Sequence, residues 1–315
     1  MAHETMDIDL VYLWVDGNDP EWLAKHNACV GKMEAKSATD CKGWYADNDE
    51  LKYSLRSIEK YAPWIHRIFI VTDNQTPAWL DTSDPKIRIV DHSEIMPAVS
   101  RPCFNATVIE HFICDIPGLA EHFLFANDDM FINRPVTPET FFAEDGLPII
   151  RFNRRPFRKF TLWYKEKVQG KKLSNYIQII RNAAELVERK YGKYYGGKTH
   201  HNIDAYLKSD CQHVERMFRK EIEPTLTNHV RSANDIQRNL FAYVALAEKR
   251  AHLHYVGQRT SFRLHIQNES HYAKLERYNP MLFCMNDSQY AGDADREREK
   301  AWLERRFPEK SRFEK

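Results

Sequence analysis

Apolar residues along this chain come in short unbroken runs that stop at acidic or amide residues. Asp9-Leu-Val-Tyr-Leu-Trp-Val15 is one such run, and it ends at Asp16-Gly-Asn-Asp-Pro20. A near-continuous apolar run predicts a strand buried on both faces, as in a parallel sheet. Arg67-Ile-Phe-Ile-Val71 runs into Thr72, Asp73 and Asn74, and Lys86-Ile-Arg-Ile-Val90 runs into Asp91-His92. Phe123-Leu-Phe-Ala126 runs into Asn127, Asp128 and Asp129, after which the apolar character resumes. Between the runs the spacing turns helical: Leu51, Leu55, Ile58 and Ala62 share a face opened by Asn48-Asp-Glu and closed by Pro63. A second helix is predicted from Asn105 to Cys114. This alternation predicts an α/β chain: a Rossmann-like, mostly parallel sheet flanked by helices, with a largely helical second half completing the site.

Other stretches read differently. Residues 24–47 are polar and irregular, which predicts a mobile loop or lid. Arg151-Phe-Asn-Arg-Arg-Pro-Phe-Arg-Lys-Phe160 interleaves cations with aromatics. That texture predicts a solvated surface segment, with phosphate or base binding as the alternative. Leu173 to Tyr191 predicts a helix with Ile177, Ile180, Ala184 and Val187 inward and Gly192 as its stop. Residues 202–208 and 211–220 read as helical. Thr227 to Asp235 leads into a helix with Ile236, Leu240, Val244 and Ala247 inward, capped by Ser232 or Asn234. Arg231 would then precede a helix N-terminus, where phosphate is favoured. Met281-Leu-Phe-Cys-Met-Asn-Asp287 is another apolar-to-acidic junction, and Asp293 to Phe307 predicts a charged, solvated terminal helix.

Charge and composition narrow the class. The 315 residues carry 46 Lys+Arg against 45 Asp+Glu, so no overall field favours nucleic acid. Mean hydropathy is negative and no long uncharged apolar run occurs, which argues against a transmembrane helix. Met1 to Asp9 has no apolar core of the signal-peptide kind, so cytoplasmic residence is expected. Six cysteines without a C-x-x-C pair argue for free thiols over structural zinc.

The strand ends are the candidate chemistry. Two carboxylates at Asp128 and Asp129 repel one another and lose solvation unless a cation or several donors compensate. A divalent metal holding a diphosphate is one answer, and an Asx-turn with a helix cap is the other. Asp16, Asn18 and Asp19 are open to the same two readings, with Asp19 well placed to cap a helix begun by Pro20.

Several blocks together resemble the Stealth family of sugar-1-phosphate transferases. Val11-Tyr-Leu-Trp-Val-Asp-Gly-Asn-Asp-Pro-Glu-Trp22 is similar to its first block. Asp47 to Ile58, Arg67 to Asp73, Cys103-Phe-Asn-Ala-Thr-Val-Ile-Glu110 and Phe125-Ala-Asn-Asp-Asp129 are similar to its second. His201 with Tyr206 and Lys208, then Val230-Arg-Ser-Ala-Asn-Asp-Ile-Gln237, resembles the third, and Phe283-Cys-Met-Asn-Asp287 the short fourth. The family's prolines after its histidine are missing here, so His200 and His201 both stay candidates, with spacing favouring His201. Residues 151–197 match no block.

The resemblance implies transfer of a sugar-1-phosphate from a UDP-sugar to a hydroxyl of a glycan or polysaccharide acceptor, with release of UMP, in capsule or exopolysaccharide synthesis. It implies catalytic roles for His201, Arg231, Asp129 and Asp16, and substrate contacts from Asn18, Asp19, Asp73, Asn105, Asn127, Asp235 and Asn286. It also implies Mg²⁺, or Mn²⁺ in its place, held with the help of Asp128 and Asp287. The chain would divide into a nucleotide-sugar half over 1–150, an acceptor-binding insertion over 151–197, and a helical half over 198–315. Peripheral association with capsule machinery at the inner membrane face is expected. Two rival functions are a metal-dependent glycosyltransferase releasing UDP and a non-catalytic nucleotide-sugar or glycan-binding protein.

Overall fold

A computed structural model describes residues 6–31 and 45–315. The strands are β1 (Ile8–Leu13), β2 (Ile68–Thr72), β3 (Ile87–Asp91), β4 (His122–Asn127), β5 (Met130–Ile132), β6 (Ile149–Asn153), β7 (Lys198–Thr199), β8 (Asp204–Leu207), β9 (His252–Tyr255), β10 (Ser261–His265) and β11 (Leu282–Asn286). The helices are α1 (Pro20–Val30), α2 (Glu50–Tyr61), α3 (His92–Ile95), α4 (Ala106–Ile109), α5 (Arg158–Trp163), α6 (Asn175–Tyr191), α7 (Lys208–Met217), α8 (Arg219–Ile222), α9 (Asn239–Ala247), α10 (Glu269–Tyr278) and α11 (Asp293–Arg306).

The main sheet has the order β3-β2-β1-β4-β8. Its first four strands are parallel, and β8 adds to β4 antiparallel. Side chains alternate across it as the pleat requires. Val11, Phe69, Phe123 and Phe125 face a core shared with α6, α7 and α9. Leu10, Tyr12, Ile70 and Leu124 face the other way, onto Leu51, Leu55 and Ile58 of α2. Burying each of those aromatic or aliphatic side chains contributes roughly 1.5–3 kcal/mol. That two-sided burial is why the strands read as unbroken apolar runs.

Two small sheets complete the molecule. β5 pairs with β11 and β11 with β10, and this sheet packs against Trp302, Leu303 and Phe307. β6 lies between β7 and β9. The sequence segments therefore interleave: β5 pairs with β11, and β8 joins the main sheet. No helix of the described residues is long and apolar enough to cross a membrane.

Several expectations are corrected. Residues 24–30 lie in α1 with Asp19 as its cap, not in a loop, while 32–44 fall outside the described residues. Residues 204–207 form a strand, not a helix, because Ile203, Ala205, Tyr206 and Leu207 all bury on or beside the sheet edge. The buried face of α6 includes Ala184 and Val187 as predicted, but Ile179, Ala183 and Leu186 complete it, while Ile177 and Ile180 are half-buried. Arg151 is not a surface cation; it is 6% exposed, over the Phe141 ring. Helix α11 is not simply solvated either, since Glu299, Trp302 and Leu303 are buried.

Candidate active site

The strand order places a topological switch between β1 and β4, where ligands of open α/β sheets bind beyond the carboxyl ends. Leu13 of β1 pairs with Asn127 of β4, so the Asp16 turn and the twin aspartates leave the sheet side by side. β4 turns through Asp128-Asp129 directly into β5. Helix α2 pins that strand: Ser54 Oγ donates to the Met130 carbonyl at 2.5 Å, and Ile132 N–H donates to Ser57 Oγ at 3.1 Å. Met285 N–H donates to the Asp129 carbonyl at 2.9 Å, tying the turn to β11.

A cavity of about 350 Å³ opens there. One wall carries Glu50, Asn127, Asp128, Asp129, Asn286 and Asp287. The facing wall carries Glu110, Tyr176, His201, Arg231 and Arg238, and Arg263 lines the cavity from β10, beside β11, where it donates to Asn286.

The first wall is crowded with carboxyl groups. Burial, then the charges of Glu50, Asp129 and Asp47, pushes the Asp128 carboxyl well above its ordinary range. Burial lifts Asp129 to about 6, Asp47 to about 6 and Glu50 to about 8. Behind them Glu299 is fully buried, neither of its oxygens has a hydrogen-bond partner, and burial raises its carboxyl far above normal. Asp129 Oδ2 accepts from the Cys284 thiol at 3.0 Å, while Oδ1 has no partner. Asp287 differs, because Arg296 donates to it at 2.8 Å and already matches its charge. That pairing leaves Asp287 poorly suited to the metal role implied by resemblance.

These residues fit a hard divalent cation. Asp128 and Asp129 offer oxygen atoms, the ligand type Mg²⁺ takes, and the orphaned Asp129 Oδ1 faces no competing donor. Ligand atoms of Asp129, His201 and Cys284 also lie within 4.8 Å of one another, a mixed set that would suit a softer ion such as zinc. Burial and the Asp129 charge hold the Cys284 thiol protonated, which favours the oxygen-only set.

The facing wall is cationic. His201 sits at φ 55°, a left-handed conformation uncommon outside glycine. Burial, then Arg263, Arg238 and Lys198, drives its pKa well below the ordinary histidine value, so its imidazole is neutral near pH 7. His200 is 4% exposed and turns toward Asp204, 3.3 Å from its carboxylate. His201, not His200, lines the cavity. Arg238 is buried and holds this wall together. It donates to Asp204 at 2.5 Å, to the Tyr206 hydroxyl at 2.6 Å and to Glu110 at 3.2 Å, over the Phe125 ring.

Arg231 lines the cavity beside Ser232, but no helix begins there. Helix α9 starts at Asn239 with Arg238 in the cap position, so the expected helix-terminus effect does not act on Arg231. Its loop is organised by Asp235, which accepts from Ser232 N–H at 2.9 Å, Asn105 at 2.8 Å and Asn228 at 2.6 Å. Asn105 and Asp235 are thus buried partners of each other beneath the loop, and Asn105 also caps α4. Asp19 caps α1, Asp16 accepts from Asn18 N–H at 2.8 Å, and Asp73 pairs with Lys25 at 2.5 Å. None of these four lines the cavity. Asp16 still acts electrostatically on Asp47, which in turn acts on Asp128. Glu50, Glu110, Arg238 and Arg263 in the cavity lining, and Glu299 behind it, are groups to which the sequence reading gave no role. Glu50 and Glu110 lie inside segments that resemble the family's second block, whereas nothing in the sequence pattern marked Arg238 or Arg263.

Such a site defines an α/β protein with a switch-point cavity walled by carboxylates on one side and cations on the other. The models for Stealth protein CR1, conserved region 1, and CR2, conserved region 2, match residues 6–34 and 44–150. The chain belongs to the Stealth family. It is 35% identical over 324 residues to an exopolysaccharide phosphotransferase of Streptomyces coelicolor, covering 98% of this chain and 52% of that protein. It is 37% identical over 242 residues to a capsular polysaccharide phosphotransferase of Actinobacillus pleuropneumoniae, covering 73% of this chain and 62% of that protein. A third relative, an exopolysaccharide phosphotransferase of Lactiplantibacillus plantarum, is 47% identical over 142 residues, 45% of this chain and 41% of that protein. The chain thus spans only part of the length of these relatives. The galactosyltransferase LgtC, solved with donor and acceptor sugar analogs, aligns over 94% of each chain at TM-score 0.43 and 11% identity, too loose a likeness to bear on the site.

Proposed function

We propose that this chain transfers a sugar-1-phosphate from a UDP-sugar, such as a UDP-N-acetylhexosamine, to a hydroxyl of a glycan acceptor in capsule or exopolysaccharide synthesis. The acceptor oxygen bonds to the phosphorus next to the sugar, the bond from that phosphorus to UMP breaks, and the anomeric C–O bond stays intact. The observation that carries this reading is the neutral His201 imidazole set between a cationic wall and a pair of carboxylates.

His201 takes the proton of the attacking hydroxyl. Its pKa is held down by burial and then by Arg263, so a bound diphosphate, by neutralising Arg263, moves it back toward neutrality and makes it a better base. Arg231 and Arg263 face the phosphoryl oxygens and stabilise their charge. Asn127 and Asn286 contact the donor, and the Asp16-Asn18-Asp19 turn and Asp73 hold its nucleotide end. Asp128 and Asp129 would hold Mg²⁺, which when bound neutralises the diphosphate. The enzyme works beside the capsule machinery at the membrane's inner face.

The test is incubation with a panel of UDP-sugars and neutral and acidic oligosaccharides, with and without Mg²⁺, followed by ³¹P detection. A diester signal with UMP supports the reading. UDP with a glycoside would assign a glycosyltransferase instead, and tight donor binding with no released nucleotide under any acceptor would leave a binding protein.

A further inference from the structure

A second cleft of about 340 Å³ runs on from the cavity and shares Tyr176 and Arg263 with it. Its cations are Arg155, Arg158, Arg181, Lys198 and Arg263. The carboxylates near it are taken: Glu166 and Glu185 by Arg181, and Glu188 by Lys159. Among the described residues no carboxylate forms an ion pair with Arg155, Arg158, Lys198 or Arg263. Their mutual repulsion is visible at Lys198. Burial, then Arg263, Arg155 and Arg158, lowers its pKa to about 8, with no acidic group opposing.

Four cations without a carboxylate partner around one cleft repel one another, and the half-buried Lys198 loses solvation as well, so an anion entering the cleft would be favoured. The floor of the cleft is close-packed: Gly196 backs onto Arg158 and Gly197 onto Phe152 so closely that a Cβ at either would lie 2.7 Å from that side chain. Lys198 lies over the Tyr176 ring at 4.7 Å, and Tyr194 and Tyr195 give the cleft aromatic walls of the kind sugar rings pack on. The twin aspartates line the first cavity and not this cleft, so a donor diphosphate held there leaves the cleft open.

We infer that this cleft is the acceptor subsite and that it selects an anionic glycan, whose phosphodiester or carboxylate is held by Arg155, Arg158, Lys198 and Arg263 while a neighbouring sugar hydroxyl reaches His201. The inference rests on the phosphotransfer reading for the acceptor's role. A phosphodiester in this position would be the linkage made in a previous round, and the enzyme would then extend its own product.

The experiment measures binding without donor, so that it stands apart from turnover. The probes are a phosphodiester-linked N-acetylhexosamine tetrasaccharide, an oligogalacturonate of the same length, and neutral maltotetraose. Wild type is expected to bind one or both anionic probes, more weakly as salt rises, and not the neutral one. Arg155→Glu and Lys198→Gln should each weaken that binding about 10- to 100-fold, the size of a charged hydrogen bond. The ratio between the two anionic probes says whether phosphodiester or carboxylate is the preferred group. Equal binding of neutral and anionic probes, or binding indifferent to both substitutions, would overturn the inference. So would competition by UDP, which would give the cleft to the donor. Capture by anionic lipid vesicles with no oligosaccharide bound would overturn it in favour of a membrane contact. UMP release is then assayed separately: anionic binding with no UMP from any donor sinks the phosphotransfer reading and leaves the subsite standing.

Discussion

The two walls of the cavity are built on opposite terms. The carboxylate wall gathers Asp47, Glu50, Asp128, Asp129 and Glu299, most of them raised in pKa by burial and by one another. The cationic wall holds Arg231 and Arg238; Arg238 and the neighbouring Arg263 repel His201, and Arg263 repels Lys198 as well. The Arg263 charge also lowers the Asp129 pKa, yet among the described residues no salt bridge joins a cation to Asp128 or Asp129. In the function proposed above, a metal-bound diphosphate would satisfy both walls at once. Arg238 is the exception that makes the comparison sharp, because Asp204 and Glu110 already match it, which marks it as a positioning residue.

The largest effect should come from the centre of the gap. His201→Ala is expected to lower turnover about 10²- to 10⁴-fold while leaving UDP-sugar affinity nearly intact, as measured by UMP release and calorimetry. Unchanged turnover would remove the imidazole from the chemistry. Next, Arg238→Met strips Asp204 and Glu110 of their buried partner and should cost about 3–5 kcal/mol in denaturant unfolding. A loss below about 1 kcal/mol would mean the network is not the scaffold of that wall.

Metal dependence should differ with pH. Asp129 and Asp128 have raised pKa values, so the folded chain keeps protons that the unfolded chain releases. Their stabilising contribution is therefore complete below the unfolded carboxyl pKa and is lost as pH rises through about 6 and beyond. Mg²⁺ binds the ionised pair and should restore the melting temperature near pH 7.5 but change little near pH 5, as read by thermal scans. An equal shift at both pH values would place the ion elsewhere. The smallest effect concerns Glu299→Gln. It should flatten the decline of stability toward high pH without abolishing activity, because the group it replaces is protonated in the fold. A steeper decline would show that Glu299 is ionised and partnered.

The fold was legible where local pattern and tertiary burial coincide. The four parallel strands read cleanly because both faces bury, and their acidic ends mark the switch point. Strand β8 did not, since four residues with Asp204 among them carry no period, and its buried aspartate is explained by Arg238, which lies beyond α7 and α8, with His200 beside it. Helix α11 read as solvated because its charged residues dominate the count, whereas Glu299 is buried. The twin aspartates, Arg231, Asn286 and His201 could be nominated from sequence. Asn105 and Asp235 look like ligand contacts by type, and only coordinates reveal that they hydrogen-bond one another.

The pairing of β5 with β11 bears on how the molecule comes into being. The residues that shut the carboxylate wall, Asp287 and Glu299, leave the ribosome more than a hundred residues after the aspartates they stand behind. A nascent chain can lay down the parallel sheet early, but it cannot close the pocket until the segment through Glu299 has emerged and folded back. Any ligand of this pocket therefore meets both of its walls only after that later strand has paired with β5.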